Sequence, residues 1–189
     1  IAKIPYTAAM ERLYSQIVGA PVITEDLDFA GMVADIVIDP ATGKDLWFVL
    51  PPRAQKGVQP NDVVFWNNRL ILRDFDDIFD VEDVLNVQKI LDDNVPILHQ
   101  KVVTENGRYL GKVMDIAFDS RLFVITKLLV TKIFAGIIRY DEKIIPSKNI
   151  IEITKKNIIV KDIEGIIPIK SKTKGPTKVK ITPSPAVTA

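Results

Sequence analysis

An ungapped internal repeat is the strongest constraint on the fold of this chain. Residues 22–39 (VITEDLDFAGMVADIVID) align with residues 102–119 (VVTENGRYLGKVMDIAFD) at a fixed offset of 80, and eight of the 18 pairs are identical. Self-similarity of this length indicates one folded unit built twice. With 189 residues, the chain has room for two small domains. The sequence therefore predicts two tandem domains of the same fold.

Both copies are dominated by strand patterns. In residues 32–39, successive side chains alternate between the two sides of an extended backbone, and the β-branched residues Val and Ile are frequent throughout the chain. A second match, RLILRD (69–74) with NIIVKD (157–162), lies at an offset of 88 and predicts a closing strand common to both copies. We expect a mainly β protein, with its domains over residues 16–74 and 97–164.

Three further segments complete the predicted organisation. Apolar residues at helical spacing predict a short helix over residues 6–17, which makes residues 1–15 an N-terminal helical segment. An apolar stripe within an acidic stretch predicts an amphipathic linker helix over residues 75–96. Residues 165–189 are rich in lysine and contain no acid, so we expect a disordered basic tail.

The motif order V-x-T-x-x-G-x-x-x-G-x-V-x-D-x-x-x-D resembles the PRC-barrel domain, which the photosynthetic reaction-centre H subunit and a bacterial ribosome-maturation factor share. In the second copy the positions that match are Gly107, Gly111, Asp115, Asp119 and Pro146. In the first copy they are Gly31, Asp35 and Asp39, and Leu27 replaces the first glycine. The resemblance implies two small six-stranded β-barrels in tandem, with these residues as structural positions.

Catalysis, metal binding and cofactor binding have little support. The chain has no cysteine and one histidine, His99, which excludes thiolate sites and histidine clusters within one chain. Asp35 and Asp39, like Asp115 and Asp119, are four residues apart on a strand, a span of about 13 Å that no single ion bridges. Turn capping and hydrogen bonding are the favoured roles of these aspartates. We expect no enzyme activity, no metal and no cofactor.

The two halves of the chain differ in charge. Residues 1–96 have 8 Lys and Arg against 16 Asp and Glu, whereas residues 97–189 have 17 against 8. The halves therefore attract each other or face different partners, and simple solvation of the tail lysines is the favoured alternative.

Binding surfaces have two candidate locations. Trp47 and Trp66 in the first copy form either an aromatic binding patch or part of the core. In the second copy Phe134, Tyr140, Lys155 and Lys156 combine aromatic and basic side chains, which suits either nucleic acid or an ordinary solvated surface.

The function that the sequence favours is a non-catalytic, cytoplasmic interaction or adaptor module that binds a protein partner. An RNA- or ribosome-associated factor that uses the basic second domain and tail is the alternative. A membrane-surface adaptor is a third possibility, with the tail near anionic lipid and no transmembrane segment.

Overall fold

The computed structural model of the chain is built mainly of β-strands. It describes residues 11–41, 47–51, 56–66, 68–93, 95–134, 138–162 and 167–168, and the side chains of all of these except those within 133–140 and 167–168. No helix in this described part is long and apolar enough to cross a membrane.

In the described part of the chain, the first repeat and the segments around it contain nine strands and two α-helices. In chain order they are β1 Glu11–Leu13, α1 Tyr14–Ile17, β2 Pro21–Thr24, β3 Phe29–Met32, β4 Asp35–Val37, β5 Trp47–Leu50, β6 Lys56–Val58, β7 Val63–Trp66, β8 Leu70–Leu72, β9 Ile78–Asp80 and α2 Leu85–Asp93.

Among the residues that the structure describes, the second repeat contains seven strands, and its longest strands exceed those of the first repeat. They are β10 Lys101–Thr104, β11 Tyr109–Asp119, β12 Val124–Phe134, β13 Ile138–Pro146, β14 Ile150–Ile153, β15 Asn157–Val160 and β16 Ile167–Pro168.

Both repeats arrange their strands in the same order. The second repeat runs β14-β15-β10-β11-β12-β13-β16, and the first runs β7-β8-β2-β3 followed by β4-β5-β6-β9. The parallel pairing that the described residues show in each order is also equivalent, since Val22 lies beside Leu70 and Val102 lies beside Ile158. The internal repeat of the sequence is therefore a repeat of topology as well.

The expected closed barrels are not formed by any sheet within the described residues, which corrects the prediction. The first repeat divides into two four-stranded sheets, and the second forms an open sheet that β1 joins. In each repeat a seventh strand pairs with the sixth, β9 with β6 and β16 with β13. Because that edge is already hydrogen-bonded, it is not available to pair with β7 or β14 at the other end of the order.

The N-terminal segment differs from the predicted helix over residues 6–17. Residues 11–13 form β1, which pairs antiparallel with β11 of the second repeat, with Arg12 opposite Phe118. Within the described residues 11–17, helix is limited to the single turn α1, whose Ile17 is buried. Pairing with a strand far along the chain therefore outweighs the local helical periodicity, as tertiary contacts commonly do. Residues 1–10 lie outside the described residues.

The predicted linker helix over residues 75–96 is also shorter than expected. Among the described residues of this stretch, only α2 is α-helical, while residues 78–80 form β9, with a 3-10 turn on each side at Phe75–Asp77 and Val81–Asp83. The Asp74 carboxylate accepts a hydrogen bond from the backbone N–H of Asp76 at 2.7 Å, which favours the first turn over a helix. The start of the acidic stretch thus completes the first repeat. Of the predicted tail, residues 165–189, only Ile167–Pro168 lie within the described residues.

One hydrophobic core spans both repeats. Ile36 and Phe48 of the first repeat belong to the same buried cluster as Ile116 and Phe118 of the second. The repeats therefore pack against each other through a common core.

Candidate interaction surface

The glycines of the repeat lie at backbone corners. Gly31 and Gly111 have φ values of 139° and 141°, and each lies next to a bulge in its own strand, where one extra residue precedes the glycine. A Cβ at Gly111 would lie 2.6 Å from the backbone oxygen of Thr131, whereas at Gly31 the nearest atom would be 3.9 Å away. Gly107, with φ of 81°, forms the turn after β10. These positions shape the sheet rather than a ligand site.

The equivalent residues Asp35 and Asp115 both contact the helical turn α1. The Tyr14 hydroxyl donates to Asp35 Oδ1 at 2.6 Å, and Ser15 donates through its hydroxyl and its backbone N–H to Asp115, at 2.5 and 3.2 Å. Burial raises the pKa of Tyr14, and the hydrogen bond to Asp35 and the charge of Asp115 raise it further. The two aspartates therefore fasten α1 across the junction between the repeats.

Asp39 and Asp119 accept hydrogen bonds from the turns that follow them. Asp39 Oδ1 accepts from the N–H of Ala41 at 2.8 Å, and Asp119 Oδ1 accepts from Arg121 and Leu122 at 2.8 and 2.9 Å. Pro146 ends β13 and precedes the 3-10 turn Ser147–Asn149. Within the described residues, no three His, Asp or Glu side chains come together as a possible metal site.

Trp66 does not lie on the surface. Its side chain is 5% exposed and stacks on Phe123 of the second repeat, with Phe48 edge-on to both rings. Of the two interpretations of this residue, the core interpretation holds, because a buried ring offers no contact area to a partner. Trp47 is half-buried, packs edge-on against Phe79 and lines a cleft of about 880 Å³ between the repeats.

Several basic residues of the second repeat are paired with carboxylates. Lys127 lies 2.5 Å from Glu11, Lys132 and Lys143 both pair with Asp141, and Lys155 lies 3.7 Å from Asp93 of α2. Hydrogen bonds from Lys143 and Lys132, together with their charges, hold the pKa of Asp141 below its usual range.

The other residues of the predicted aromatic and basic surface are Lys156, Phe134 and Tyr140. Lys156 is exposed. Phe134 and Tyr140 lie on β12 and β13, and their side chains are outside the described part. The RNA-binding and membrane-surface hypotheses stay predictions, and these ion pairs do not favour a continuous phosphate-binding face.

Large apolar side chains are exposed at one end of the first repeat. Leu27 is 73% exposed, Phe29 64% and Phe75 51%. The parallel strands β2 and β8 end side by side at Thr24 and Leu72, so the turn at 25–28 and the segment at 73–76 leave the same end of the sheet. We call these three side chains the apolar end. Exposed apolar groups that cluster in this way mark interaction sites more often than isolated ones do.

The second repeat covers the equivalent end with polar contacts. Asp162 accepts hydrogen bonds from Arg108 at 2.8 Å and from Asn106 at 2.7 Å, and its backbone N–H donates to Glu105 at 3.0 Å. The turn position that Leu27 occupies in the first repeat, with φ of 71°, is Gly107 in the second. A leucine in this conformation is sterically unfavourable, and although its N–H donates to the backbone oxygen of Thr24 at 3.0 Å, its side chain is mostly exposed.

Sequence reasoning identified Leu27 as a departure from the motif but did not assign it to a surface. The available signal was the difference between the copies, DLDF (26–29) against NGRY (106–109), in which glycine and arginine are replaced by leucine and aspartate. Phe75 gave no signal, because the segment around it fits an amphipathic helix.

Comparison with known proteins gives a family. No curated protein matches the chain. A profile of the PRC-barrel domain matches residues 10–91 and again residues 96–167, which is most of the chain and agrees with the two repeats of the structure. The strand order common to both repeats and the doubled match lead to one conclusion: the chain belongs to the PRC-barrel domain family, with two domains in tandem.

Proposed function

We propose that this protein is a non-catalytic interaction module that binds a partner protein through the apolar end of its first repeat. Domains of the PRC-barrel family are known as protein-interaction modules. The observation on which the proposal rests is the exposure of Leu27, Phe29 and Phe75 at one end of the molecule. Burying these side chains against a partner would release ordered water and favour association.

The contrast between the repeats supports an assignment to the first one. Both copies have the same strand order, so fold requirements alone predict similar ends. The second repeat has Arg108 and Asp162 in an ion pair at this end, whereas the first has an exposed leucine in a strained turn. A strained residue whose side chain contributes no packing is a candidate for a functional contact.

The experiment compares two matched double variants. In the first, Leu27→Ser and Phe29→Ser remove anchors from the apolar end. In the second, Leu122→Ser and Tyr109→Ser remove exposed apolar groups of the second repeat, which are 59% and 42% exposed. A protein captured from native lysate by the immobilised chain is purified, and its affinity for each variant is measured by calorimetry.

We expect the first double variant to weaken binding at least about tenfold, which corresponds to roughly 1.4 kcal/mol, and the second to leave it within about twofold. Equal affinity for the wild-type chain and the Leu27/Phe29 variant would refute the proposed surface. Circular dichroism of each variant shows that a loss of binding does not come from unfolding.

A further inference from the structure

We infer that the segment bound by the apolar end is a basic one, rich in lysine or arginine and carrying an apolar side chain; this inference rests on the proposed function. Four aspartates surround the three exposed apolar side chains. Asp26 and Asp28 flank Leu27 in the turn, and Asp74 and Asp76 flank Phe75. We call these four carboxylates the acidic rim.

The acidic rim forms no ion pair with a basic side chain within the described residues. No lysine or arginine nitrogen there lies within 4.0 Å of its carboxylates. Arg73 is adjacent in sequence to Asp74, but its guanidinium pairs with Asp77 at 2.9 Å and with Asp62 at 3.1 Å. Arg73 also feels the charge of Asp74, and the remaining charge of the rim is left to solvent or to a partner.

The second repeat shows how the same end is neutralised within the chain. Residues equivalent to Asp26, Asp28 and Asp74 are Asn106, Arg108 and Asp162, which form a closed set of hydrogen bonds. In the first repeat, aspartates stand in place of Asn106 and Arg108. These three positions therefore carry three carboxylates in the first repeat and one in the second. The negative charge of this end is a specific difference between the repeats and not a consequence of the fold.

The charge restricts what can cover the apolar end. A neutral or acidic partner would bury Leu27 and Phe29 only by desolvating nearby carboxylates without compensation, which disfavours association. A partner with lysine or arginine beside its apolar residue supplies the counter-charges and is also attracted from a distance. Charge complementarity therefore selects a basic segment over other apolar peptides.

The test uses a nine-residue amphipathic peptide of six lysines and three leucines, labelled for fluorescence anisotropy, and the same peptide with glutamate in place of lysine. Each peptide is titrated with the full chain and with a form that ends at residue 168. The shorter form lacks the chain's own lysines at 170–180, so these lysines cannot compete with the peptide there. We expect the lysine peptide to bind at least one form, with affinity falling about tenfold or more between low and physiological salt. The glutamate peptide should bind at least about tenfold more weakly.

Two triple variants then separate a local effect from a general effect of charge. Asp26→Asn, Asp28→Asn and Asp74→Asn neutralise the rim, whereas Glu82→Gln, Asp92→Asn and Glu152→Gln neutralise three exposed carboxylates elsewhere. Net charge changes equally in both. We expect the rim variant to weaken the lysine peptide at least about tenfold and the control variant about twofold or less.

Three results would overturn the inference: no binding of the lysine peptide to either form, equal binding of the two peptides, or an equal loss in the two triple variants. A captured partner that binds the Leu27→Ser/Phe29→Ser variant more weakly but binds the rim variant as tightly as the wild type would also overturn it, while leaving the proposed function intact. A partner whose affinity is unchanged by both the variant of the apolar end and the rim variant would refute the proposed function itself.

Discussion

Trp66 of the first repeat stacks on Phe123 of the second, with ring centroids 5.4 Å apart and ring planes 20° from parallel. Phe123 has a φ of 51° and follows a turn in which its N–H donates to the backbone oxygen of Asp119 at 2.9 Å. The turn after β11 thus inserts an aromatic ring into the core of the other repeat. This contact helps to explain how two copies of a small fold share one core.

The stacked pair predicts that a substitution in the second repeat destabilises the first. Phe123→Ala removes ring contacts with Trp66 and Phe48 and should lower the free energy of unfolding by about 2 kcal/mol. Urea denaturation followed by tryptophan fluorescence reports this directly, because both tryptophans lie in the first repeat. The neighbouring control Leu122→Ala, 59% exposed, should change stability by less than about 0.5 kcal/mol. A Phe123 effect no larger than the control's would count against a shared core.

Much of the fold could be predicted from the repeat, because glycine corners and strand spacing are local features. The match of Gly31 with Gly111 places equivalent turns, and the match of residues 69–74 with 157–162 places the parallel strand. The seventh strand was missed, although DFDDI (74–78) and DIEGI (162–166) share Asp and Ile at the same offset of 88. Two identities in five residues do not outweigh a clear helical periodicity.

The pairing of β1 with β11 and the contact of Trp66 with Phe123 were not predictable for another reason. Both depend on how the repeats pack against each other, and nothing in the local pattern of residues 11–13 or 120–123 encodes a partner about 100 or 60 residues away. Only part of the candidate surface could be predicted. The charges of Asp26 and Asp28 follow from the sequence, but the exposure of Leu27 follows only from the structure.

Leu27 and Gly107 occupy the same turn position with φ values of 71° and 81°, which gives a paired prediction. Leu27→Gly relieves a left-handed leucine and should raise the free energy of unfolding by about 1 kcal/mol. Gly107→Leu should lower it by a similar amount through backbone strain alone, because a Cβ there meets no atom within 4 Å. Thermal denaturation of both variants checks the pair. A destabilising Leu27→Gly would contradict the prediction, because it would mean that the leucine side chain stabilises the fold by packing despite its 73% exposure.

Gly31 and Gly111 have nearly the same φ but different surroundings, so the same substitution should have different costs. Gly31→Ala should lose about 1 kcal/mol from backbone strain, since its nearest new contact is an ordinary 3.9 Å. Gly111→Ala adds a clash with the backbone oxygen of Thr131 at 2.6 Å, and should lose about 3 kcal/mol or more. Urea midpoints measure the difference. Equal losses of unfolding free energy would show that β11 and β12 move apart at little cost to accommodate the added Cβ.

The contact between Tyr14 and Asp35 predicts a stability change at alkaline pH. Because burial, the hydrogen bond to Asp35 and the charge of Asp115 raise the pKa of Tyr14, the folded protein holds the phenol proton more tightly than the unfolded chain does. The resulting stabilisation is complete below the ordinary tyrosine pKa of about 10 and declines as the pH rises above it. Relative to Tyr14→Phe, wild-type stability should therefore be constant from pH 7 to about 9.5 and decrease above about 10.

Urea titrations of the wild type and Tyr14→Phe at matched pH values measure this difference, and the comparison cancels the titration of lysines that both proteins contain. Asp35→Asn keeps an acceptor for the hydroxyl but removes the charge, so in that background the alkaline decline should be smaller. A wild-type advantage that stays constant through pH 11 would show that Tyr14 does not lose its proton differently in the folded and unfolded states, and would contradict the role of Asp35 in fastening α1 across the junction.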